Sequence, residues 1–381
     1  MEKLNFIATS TFGLEAIVKR EAERLGFSDI SVPYDGRINF SGNLETMAKA
    51  NVWLRSADRV LLNLKEFYAY TFDELFDTTK SLPWEDLLPK DANIIITAKS
   101  VKSKLFSLSD CQSIVKKAIV ERLKAKYKIE WLPETGATYK IQVGILKDLV
   151  TLTVDTSGTG LHKRGYRQAS VKAPIKETLA AALIDLSFYR HDRVLLDPFC
   201  GSATIPIEAA MMAKNIAPGM NRDFVAETWG NSFKKVFDDA REEAKSLIKH
   251  DISPEIYASD LDPIAINTAK YNSKLANVAD YIKFNARSYE DAHFSGDYGI
   301  MIANPPYGER VGESEDVLNL AKGLGELYKK NPTWSFYVIT SDAGFEKQFG
   351  KKSDKNRKLF NGMLQTYYYQ YLGPKKPREG K

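Results

Sequence analysis

Residues 194–204 read V-L-L-D-P-F-C-G-S-A-T, and this stretch decides the expected fold of the second half of the chain. Its apolar start predicts a buried strand that ends at Asp197, and a helical segment follows from Thr204. The small residues between them form a tight turn that lets a ligand approach the backbone closely. The turn lacks the G-x-G-x-x-G pattern that binds a pyrophosphate, and Asp197 would repel phosphates but accept hydrogen bonds from an ammonium. We therefore expect a cationic or zwitterionic cofactor, and S-adenosylmethionine fits because it carries an amino-acid head, a sulfonium and no phosphate.

Further predicted strands alternate with helical segments after this one. The set of strands lies at residues 193–197, 255–260, 281–285, 298–304 and 334–340. This alternation predicts a parallel, doubly wound sheet that binds its ligands at the carboxyl ends of the strands. A last run at residues 365–372 contains four tyrosines and predicts an added strand, paired in a hairpin with residues 358–360. The expected fold class is thus α/β and Rossmann-like, with a mostly parallel sheet and a C-terminal antiparallel hairpin.

The tetrapeptide Asn304-Pro305-Pro306-Tyr307 follows the apolar run at residues 298–303. The side-chain carbonyl of Asn304 and the backbone carbonyl of Pro305 can each accept a hydrogen bond from an exocyclic NH2 group. The prolines fix φ and remove competing donors, and Tyr307 offers a face for stacking. Such a group of residues would hold a planar amine and leave its lone pair free to attack an electrophile. The alternative interpretation is a plain turn after a strand, since Asn-Pro and Pro-Pro are common turn signals.

Asp260 and Cys200 are two further candidate residues for the site. Asp260 ends the second strand of the predicted sheet, where a carboxylate can accept hydrogen bonds from both hydroxyls of a ribose. Cys200 could in principle be the thiolate that methylation of a pyrimidine carbon requires. It lies in the cofactor turn, away from the strand that carries Asn304, so we interpret it as a packing residue.

The first half of the chain, to about residue 155, alternates short strands with amphipathic helices and predicts an α+β region with at least one antiparallel sheet. It contains no catalytic constellation, so we expect it to bind rather than to react. The loop at residues 156–160 is a candidate boundary. Basic clusters with interleaved aromatic residues suit a phosphate backbone, although a solvated surface explains them equally well. One such cluster, around Tyr166, contains Lys163, Arg164, Arg167, Lys172 and Lys176.

Composition excludes several classes of protein. Of the 381 residues 44% are hydrophobic and 27% are charged, as in globular proteins, and no apolar run approaches the ~18 residues that span a membrane. The N-terminus lacks the features of a signal peptide. Two cysteines and four histidines make a disulfide framework or a metal site improbable. We expect a cytoplasmic enzyme without a metal and without a membrane partner.

The motifs D-P-F-C-G-S-A-T, S-D-L-D-P and N-P-P-Y-G-E-R resemble those of the class I S-adenosylmethionine-dependent RNA methyltransferases that carry a THUMP domain. The segment L-H-K-R-G-Y-R at residues 161–167 is similar to the family's entry into its catalytic domain. Within the family, the chain resembles the bacterial 23S ribosomal RNA guanine-N2 methyltransferases of the large-subunit L type. The resemblance implies a ferredoxin-like region at residues 1–65, a THUMP domain at 66–155, a basic entry segment at 156–176 and a methyltransferase domain at 177–381.

The resemblance also assigns the site. Expected catalytic residues are Asn304, Pro305, Pro306 and Tyr307. Expected cofactor contacts are Asp197, Pro198, Cys200, Gly201, Ser202, Thr204, Asp260, Leu261, Ser288 and Asn304. Expected RNA contacts are Lys163, Arg164, Arg167 and Arg310. The chain departs from the family pattern at Ala203, where a glycine is usual, and at Ser288, where an acidic residue usually contacts the adenine.

The implied activity is methyl transfer from S-adenosyl-L-methionine to the exocyclic N2 of a guanosine in structured RNA, with 23S ribosomal RNA as the main expectation and transfer RNA as its rival. Two other classes stay open. An adenine-N6 nucleic acid methyltransferase can share N-P-P-Y, and a non-catalytic RNA-binding module is suggested by Ala203 and Ser288. A dinucleotide oxidoreductase is poorly supported, because the glycine pattern is missing.

Overall fold

The computed structural model of the chain describes residues 3–168, 174–306 and 314–376, with the side chains of the last range from residue 319 onward. The first half contains β1 (Leu4–Ser10), α1 (Glu15–Arg24), β2 (Ser28–Tyr34), β3 (Arg37–Gly42), α2 (Leu44–Trp53), β4 (Ala57–Tyr68), α3 (Phe72–Ser81), β5 (Asn93–Val101), α4 (Leu108–Tyr127), β6 (Thr138–Leu146) and β7 (Leu149–Asp155). The second half contains α5 (Glu177–Leu186), β8 (Leu195–Asp197), α6 (Thr204–Ala213), α7 (Asn231–Ser246), β9 (Ile256–Asp260), α8 (Pro263–Leu275), β10 (Ile282–Ala286), β11 (Ile300–Ala303), α9 (Ser314–Lys330), β12 (Ser335–Thr340), α10 (Phe345–Phe349), β13 (Lys355–Asn361) and β14 (Leu364–Tyr371). Short 3-10 helices occupy Trp84–Asp86, Val225–Trp229, Ala279–Tyr281 and Tyr289–Asp291.

The first half forms one seven-stranded sheet in the order β2-β3-β1-β4-β7-β6-β5. Its neighbouring strands are antiparallel except for β5 and β6, which are parallel. The long strand β4 pairs with β1 on one side and with β7 on the other, so it belongs to both predicted N-terminal regions. The boundary predicted between residues 65 and 66 therefore falls inside a strand.

The second half forms a seven-stranded sheet in the order β10-β9-β8-β11-β12-β14-β13. The strands from β10 to β12 are parallel, and β14 is antiparallel to both β12 and β13. This arrangement confirms the predicted doubly wound, mostly parallel sheet and its antiparallel hairpin. A central strand of a doubly wound sheet needs apolar residues on both faces, because helices cover both sides of the sheet. In agreement, β8, β11 and β12 are buried along their whole lengths.

The two halves do not have separate cores. Residues 217–244, which follow α6 and include most of α7, pack into the core of the first half through Phe224, Trp229 and Phe237. Two hydrogen bonds fix this crossing, from Gly219 N to the Val52 carbonyl at 2.9 Å and from Trp229 Nε1 to the Thr138 carbonyl at 3.0 Å. Among the described residues, no helix combines the length and the apolar composition needed to cross a membrane.

Candidate active site at the carboxyl edge of the second sheet

The candidate site residues lie where three parallel strands of the second sheet end. We call this end of the sheet the carboxyl edge. Leu195 of β8 pairs with Ile256 of β9 on one side and with Ile300 of β11 on the other. The segments that follow β8, β9 and β11 therefore lie side by side. Strand order reverses between β8 and β11, and ligands of doubly wound sheets bind in the crevice at such a reversal.

The turn between β8 and α6 is built on two left-handed residues. Gly201 has φ 50°, and Ala203 has φ 65° and ψ 32° immediately before α6. Glycine adopts this region without strain, whereas alanine pays a steric penalty there. The Ala203 N–H donates to the Cys200 carbonyl at 2.7 Å, and the Cys200 N–H donates to the Ser259 carbonyl of β9 at 2.9 Å. The turn is thus held against the neighbouring strand, with the buried Ala203 methyl in the core.

Asp260 is oriented by two backbone donors. Gly201 N–H donates to its Oδ2 at 2.9 Å, and Asp262 N–H donates to its Oδ1 at 3.0 Å. Asp262 itself caps α8, since its Oδ1 accepts from Ile264 N–H at 2.8 Å. A carboxylate has about four acceptor positions, so Asp260 keeps lone pairs for the hydroxyls of a ribose. The cofactor turn and the predicted ribose acceptor form one hydrogen-bonded unit.

Asp197 is a buried carboxyl group at the end of β8. Its Oδ1 accepts from Phe199 N–H at 3.1 Å, and within residues 3–168, 174–306 and 319–376 no lysine or arginine forms an ion pair with it. Burial raises the pKa of Asp197 to about 8, and repulsion from Asp260 acts in the same direction. A ligand cation would provide the charge that this carboxylate lacks. The residues therefore fit a cofactor with an ammonium and a sulfonium.

Cys200 is buried beside these carboxylates. Burial, followed by repulsion from Asp197 and Asp260, raises the pKa of its thiol well above the usual value. A thiol in this environment stays protonated and is a poor nucleophile. The structure therefore favours the packing role over a thiolate mechanism.

The remaining predicted cofactor positions lie around this turn in different environments. Pro198 and Ser202 are buried, and Thr204 is the first residue of α6. Leu261 is 75% exposed and lies between Asp260, the last residue of β9, and Asp262, the N-cap of α8. Ser288 Oγ accepts from Glu290 N–H at 3.3 Å and begins a 3-10 helix. No adenine contact follows from this geometry alone, so these assignments stay predictions.

One aromatic pair at the site was not predicted from the sequence. The Phe199 ring from the cofactor turn stacks on Tyr289, with centroids 5.2 Å apart and an interplanar angle of 29°. Tyr289 directly follows Ser288, so the pair joins the segment after β8 to the segment after β10. Each residue stands next to a predicted cofactor position in the sequence, but only the fold shows that the two rings meet.

Asn304, Pro305 and Pro306 directly follow β11 at the carboxyl edge. Asn304 is half-buried, Pro305 is buried and Pro306 is exposed. Because β11 pairs in parallel with β8, the predicted amine-binding residues lie beside the cofactor turn. Tyr307 and Arg310, also predicted for this site, lie outside the described residues.

Two of the predicted RNA contacts are wrong. Arg164 is 3% exposed, and its guanidinium donates to the carbonyls of Leu161 and Arg55 and contacts Glu208 Oε1 at 3.4 Å. Arg167 Nη2 donates to Glu177 Oε2 at 2.7 Å, and its side chain is largely buried. A guanidinium enclosed by protein acceptors cannot reach a phosphate. Lys163 is exposed, and it keeps its predicted role.

Tyr166, the aromatic residue of the same cluster, is also buried. Its hydroxyl donates to Glu208 Oε1 at 3.0 Å. The segment at residues 161–167 therefore connects the halves through the buried side chains of Arg164 and Tyr166, which both donate hydrogen bonds to Glu208 of α6. A run of basic residues in a sequence cannot reveal this, because the pattern does not record which carboxylate faces it.

Sequence comparison places this geometry among known proteins. Residues 164–370 match the family described as "RMKL-like, methyltransferase domain", residues 5–61 match the RlmL ferredoxin-like domain, and residues 69–155 match the THUMP domain. The chain is 45% identical over 383 positions to "Putative RNA methyltransferase YpsC" of Bacillus subtilis, covering 100% of this chain and 99% of that protein. It is 32% identical to "Ribosomal RNA large subunit methyltransferase K/L" of Syntrophotalea carbinolica over 95% of this chain. It spans 52% of that relative, about half its length.

Two solved structures share the fold over nearly the whole chain. One is described as "a predicted N6-adenine-specific DNA methylase" from Listeria monocytogenes; it has 51% identity and a TM-score of 0.94, over 98% of this chain and 97% of that one. The other is described as "a putative methyltransferase complexed with SAH", where SAH is S-adenosylhomocysteine. It has 41% identity and a TM-score of 0.93, over 99% of this chain and 100% of that one.

These matches confirm the ferredoxin-like and THUMP regions and the cofactor expected from the acidic turn. S-adenosylhomocysteine, held by a relative with the same fold, is the demethylated form of S-adenosylmethionine. The family match covers more than half of the 381 residues. The chain therefore belongs to the RMKL-like methyltransferases that carry RlmL ferredoxin-like and THUMP domains, and its methyl donor is S-adenosylmethionine.

Proposed function

We propose that the chain methylates the exocyclic N2 of a guanosine in structured RNA, and that 23S ribosomal RNA is its substrate. The observation that carries the proposal is the position of Asn304-Pro305-Pro306 at the end of β11, in parallel register with the strand that leads into the cofactor turn. Two carbonyl acceptors and rigid prolines at this point suit a planar amine. The names of the relatives and the THUMP domain support an RNA substrate rather than a small molecule.

Some residues of the chain would hold the cofactor, and others would orient the base. S-adenosylmethionine supplies an electrophilic methyl carbon. The Asp197 carboxylate would hold the cofactor's positive charge, and Asp260 would hold a ribose. The Asn304 side chain and the Pro305 carbonyl would accept from the two N–H bonds of the amine, which leaves its lone pair directed at the methyl carbon. Such positioning is worth about 7–11 kcal/mol in well-aligned reactions, so no strong base is needed beforehand.

Replacing Asn304 tests this role. Asn304→Ala removes one of two acceptors and leaves the amine free to rotate, so methyl transfer to RNA should fall about 100-fold or more. Affinity for S-adenosylmethionine, measured by calorimetry, should stay within about twofold, because the variant loses one expected cofactor contact of ten and keeps the carboxylates of Asp197 and Asp260. Asn231→Ala, at an exposed asparagine that begins α7, is the matched control and should retain full activity. Near wild-type transfer by Asn304→Ala would show that the assigned role is wrong.

The modified nucleoside decides between guanine and adenine. The second candidate is adenine-N6 methylation, favoured by the N-P-P-Y motif and by the description of the Listeria relative. Ribosomal RNA, transfer RNA and DNA from a strain lacking the gene should be digested and compared with the parent by mass spectrometry. We expect one N2-methylguanosine to disappear from 23S ribosomal RNA alone. Loss of N6-methyladenosine, or loss from transfer RNA, would favour the alternatives.

A further inference from the structure

The hairpin formed by β13 and β14 projects beyond the carboxyl edge, on the same side as the candidate active site. The last residue of β12, Thr340, pairs with Tyr367 of the antiparallel β14. The residues of β14 before Tyr367 therefore extend past the end of β12, where they pair with β13 up to the Asn361–Leu364 pair. Three residues of antiparallel strand span about 10 Å. The tip of the hairpin thus stands about 10 Å above the edge where the parallel strands end.

The tip is a tight turn that exposes two neighbouring apolar side chains. Gly362 and Met363 form a two-residue loop, and Gly362 has φ 66°. A glycine with positive φ at the first position is typical of type II′ turns, whose twist matches the flanking strands. Met363 is 100% exposed, and its neighbour Leu364 is also exposed. A long, unbranched thioether is therefore presented to solvent from a two-residue turn between two paired strands.

The charge of the hairpin favours a polyanion as its partner. Residues 355–371 contain Lys355, Arg357 and Lys358 and no acidic residue. All three cations are exposed on β13. A protein partner that met the apolar tip would also meet these cations, whereas an RNA backbone offers a phosphate for each of them.

The N-terminal half contacts the projecting part of the hairpin, close to its tip. The Phe12 ring meets Phe360 edge to face, with centroids 5.8 Å apart. Gly13, with φ 90°, approaches so closely that a Cβ atom there would lie 3.0 Å from the Lys358 carbonyl oxygen and 3.2 Å from Leu359 Cδ2. The tip is therefore fixed relative to the half of the molecule that carries the THUMP domain.

We propose that this hairpin is a wedge, and that Met363 enters the stack of a folded RNA beside the target nucleotide when that nucleotide turns into the active site. The inference rests on the proposed RNA substrate. β14 and β13 lie two and three strand spacings from β11, about 10–14 Å to the side of the strand that ends at Asn304. With its height of about 10 Å above the edge, the tip lies about 14–17 Å from Asn304. A base that turns out of its stack into a site at Asn304 leaves a gap above the carboxyl edge, which is the side to which the tip projects. Apolar wedges of Met, Leu or Phe that fill such gaps are a general device of proteins that unstack nucleic acids.

The first experiment compares folded and unfolded substrates. Met363→Ser and Met363→Leu are assayed for methyl groups transferred from S-adenosylmethionine to folded 23S ribosomal RNA from a strain lacking the gene, and to short single-stranded fragments of it. Met363→Ser should lower kcat/KM on folded RNA about tenfold or more and on fragments less than about twofold, because fragments need no unstacking. Met363→Leu should retain most activity. Leu247→Ser is the matched control. Leu247 is an exposed apolar residue that follows α7, and its carbonyl accepts from Asn215, just after the C-terminus of α6. Because α6 begins at the carboxyl edge, its C-terminus lies on the opposite side of the sheet.

The second experiment does not depend on activity. Cys111 and Cys200 are buried, so Met363→Cys provides one accessible thiol for a maleimide photo-crosslinker. It should crosslink to 23S ribosomal RNA, and Leu247→Cys should not. An equal loss of activity on folded and fragmented RNA, unchanged activity on folded RNA, or no crosslink from position 363 would each overturn the wedge. Methyl transfer to adenine instead of guanine would contradict the proposed function and leave the wedge standing, because both readouts are independent of the base.

Discussion

Asp197 links the charge state of the active site to pH. Burial raises the pKa of its carboxyl group to about 8, from an ordinary value of 3.8. The folded protein without cofactor therefore binds a proton that the unfolded chain releases above pH 3.8. Stability must then fall as pH rises from 3.8 to about 8, since the native state holds the extra proton. A bound cation stabilises the ionised carboxylate of Asp197 and therefore favours loss of the proton.

Asp197→Asn should separate these two effects. The amide oxygen still accepts from Phe199 N–H, but the ionisation is lost. In urea unfolding without cofactor, the variant should gain stability over the wild type between pH 5 and pH 9. It should also lose most of the thermal stabilisation that S-adenosylmethionine gives the wild type, because the charge partner is gone. A difference between variant and wild type that does not change with pH would mean that Asp197 is ionised in the free protein.

The β8–α6 turn is the element in which the backbone sets the function. Its sequence predicted a strand, a tight turn and a helix because each part has a local signal: a doubly buried apolar run, small residues and a helical segment. The same reasoning located Asp197, Asp260 and Asn304 at one edge, since parallel strands end together. Several elements were not predicted, among them the 12-residue strand β4 and α7. The pairing of β4 with β1 and β7 depends on residues up to about 90 positions away, which periodicity cannot report.

Ala203 allows a direct test of this turn. It combines positive φ with complete burial of its methyl group. Ala203→Gly relieves the backbone, at about 1–2 kcal/mol, but loses a buried methyl group, at about 0.8 kcal/mol, and makes the unfolded chain more flexible. We expect the unfolding free energy to change by less than about 1 kcal/mol, with cofactor affinity retained.

Ala203→Val is the matched partner of this variant. A branched side chain at positive φ in a packed site should cost about 2–4 kcal/mol, from backbone strain and overpacking together. Cofactor affinity, measured by calorimetry, should fall with it, because the turn must shift against β9. Equal behaviour of the glycine and valine variants would show that the left-handed conformation of residue 203 is unimportant.

At the scale of the whole molecule, a buried polar network connects α6, the helix that follows the cofactor turn, to the N-terminal half. Arg55, from the first half, donates to the Ile216 carbonyl at 2.7 Å, and its own carbonyl accepts from Arg164. Burial lowers the pKa of Arg55 to about 10, and the negative charge of Glu208 opposes this decrease. Glu208 lies on α6, the helix that begins at the cofactor turn. The sequence could not reveal this network, because its hydrogen-bonded partners lie between 42 and 161 residues apart and only folding brings them together.

Glu208→Gln should therefore weaken the joint between the halves. The amide keeps an acceptor for the Tyr166 hydroxyl, but it leaves the buried guanidinium of Arg164 without its ion-pair partner. It also removes the larger of two negative charges that act on Arg55, the other being Glu21. Removing one partner of a buried ion pair costs about 3–5 kcal/mol, so the urea midpoint should fall clearly. Glu242→Gln is the control; Glu242 forms an exposed pair with Lys245, and its loss should leave the midpoint unchanged. Because α6 starts at the turn that binds S-adenosylmethionine, Glu208→Gln should also lower cofactor affinity, whereas an unchanged midpoint and unchanged affinity would mean that the two halves hold together without this pair.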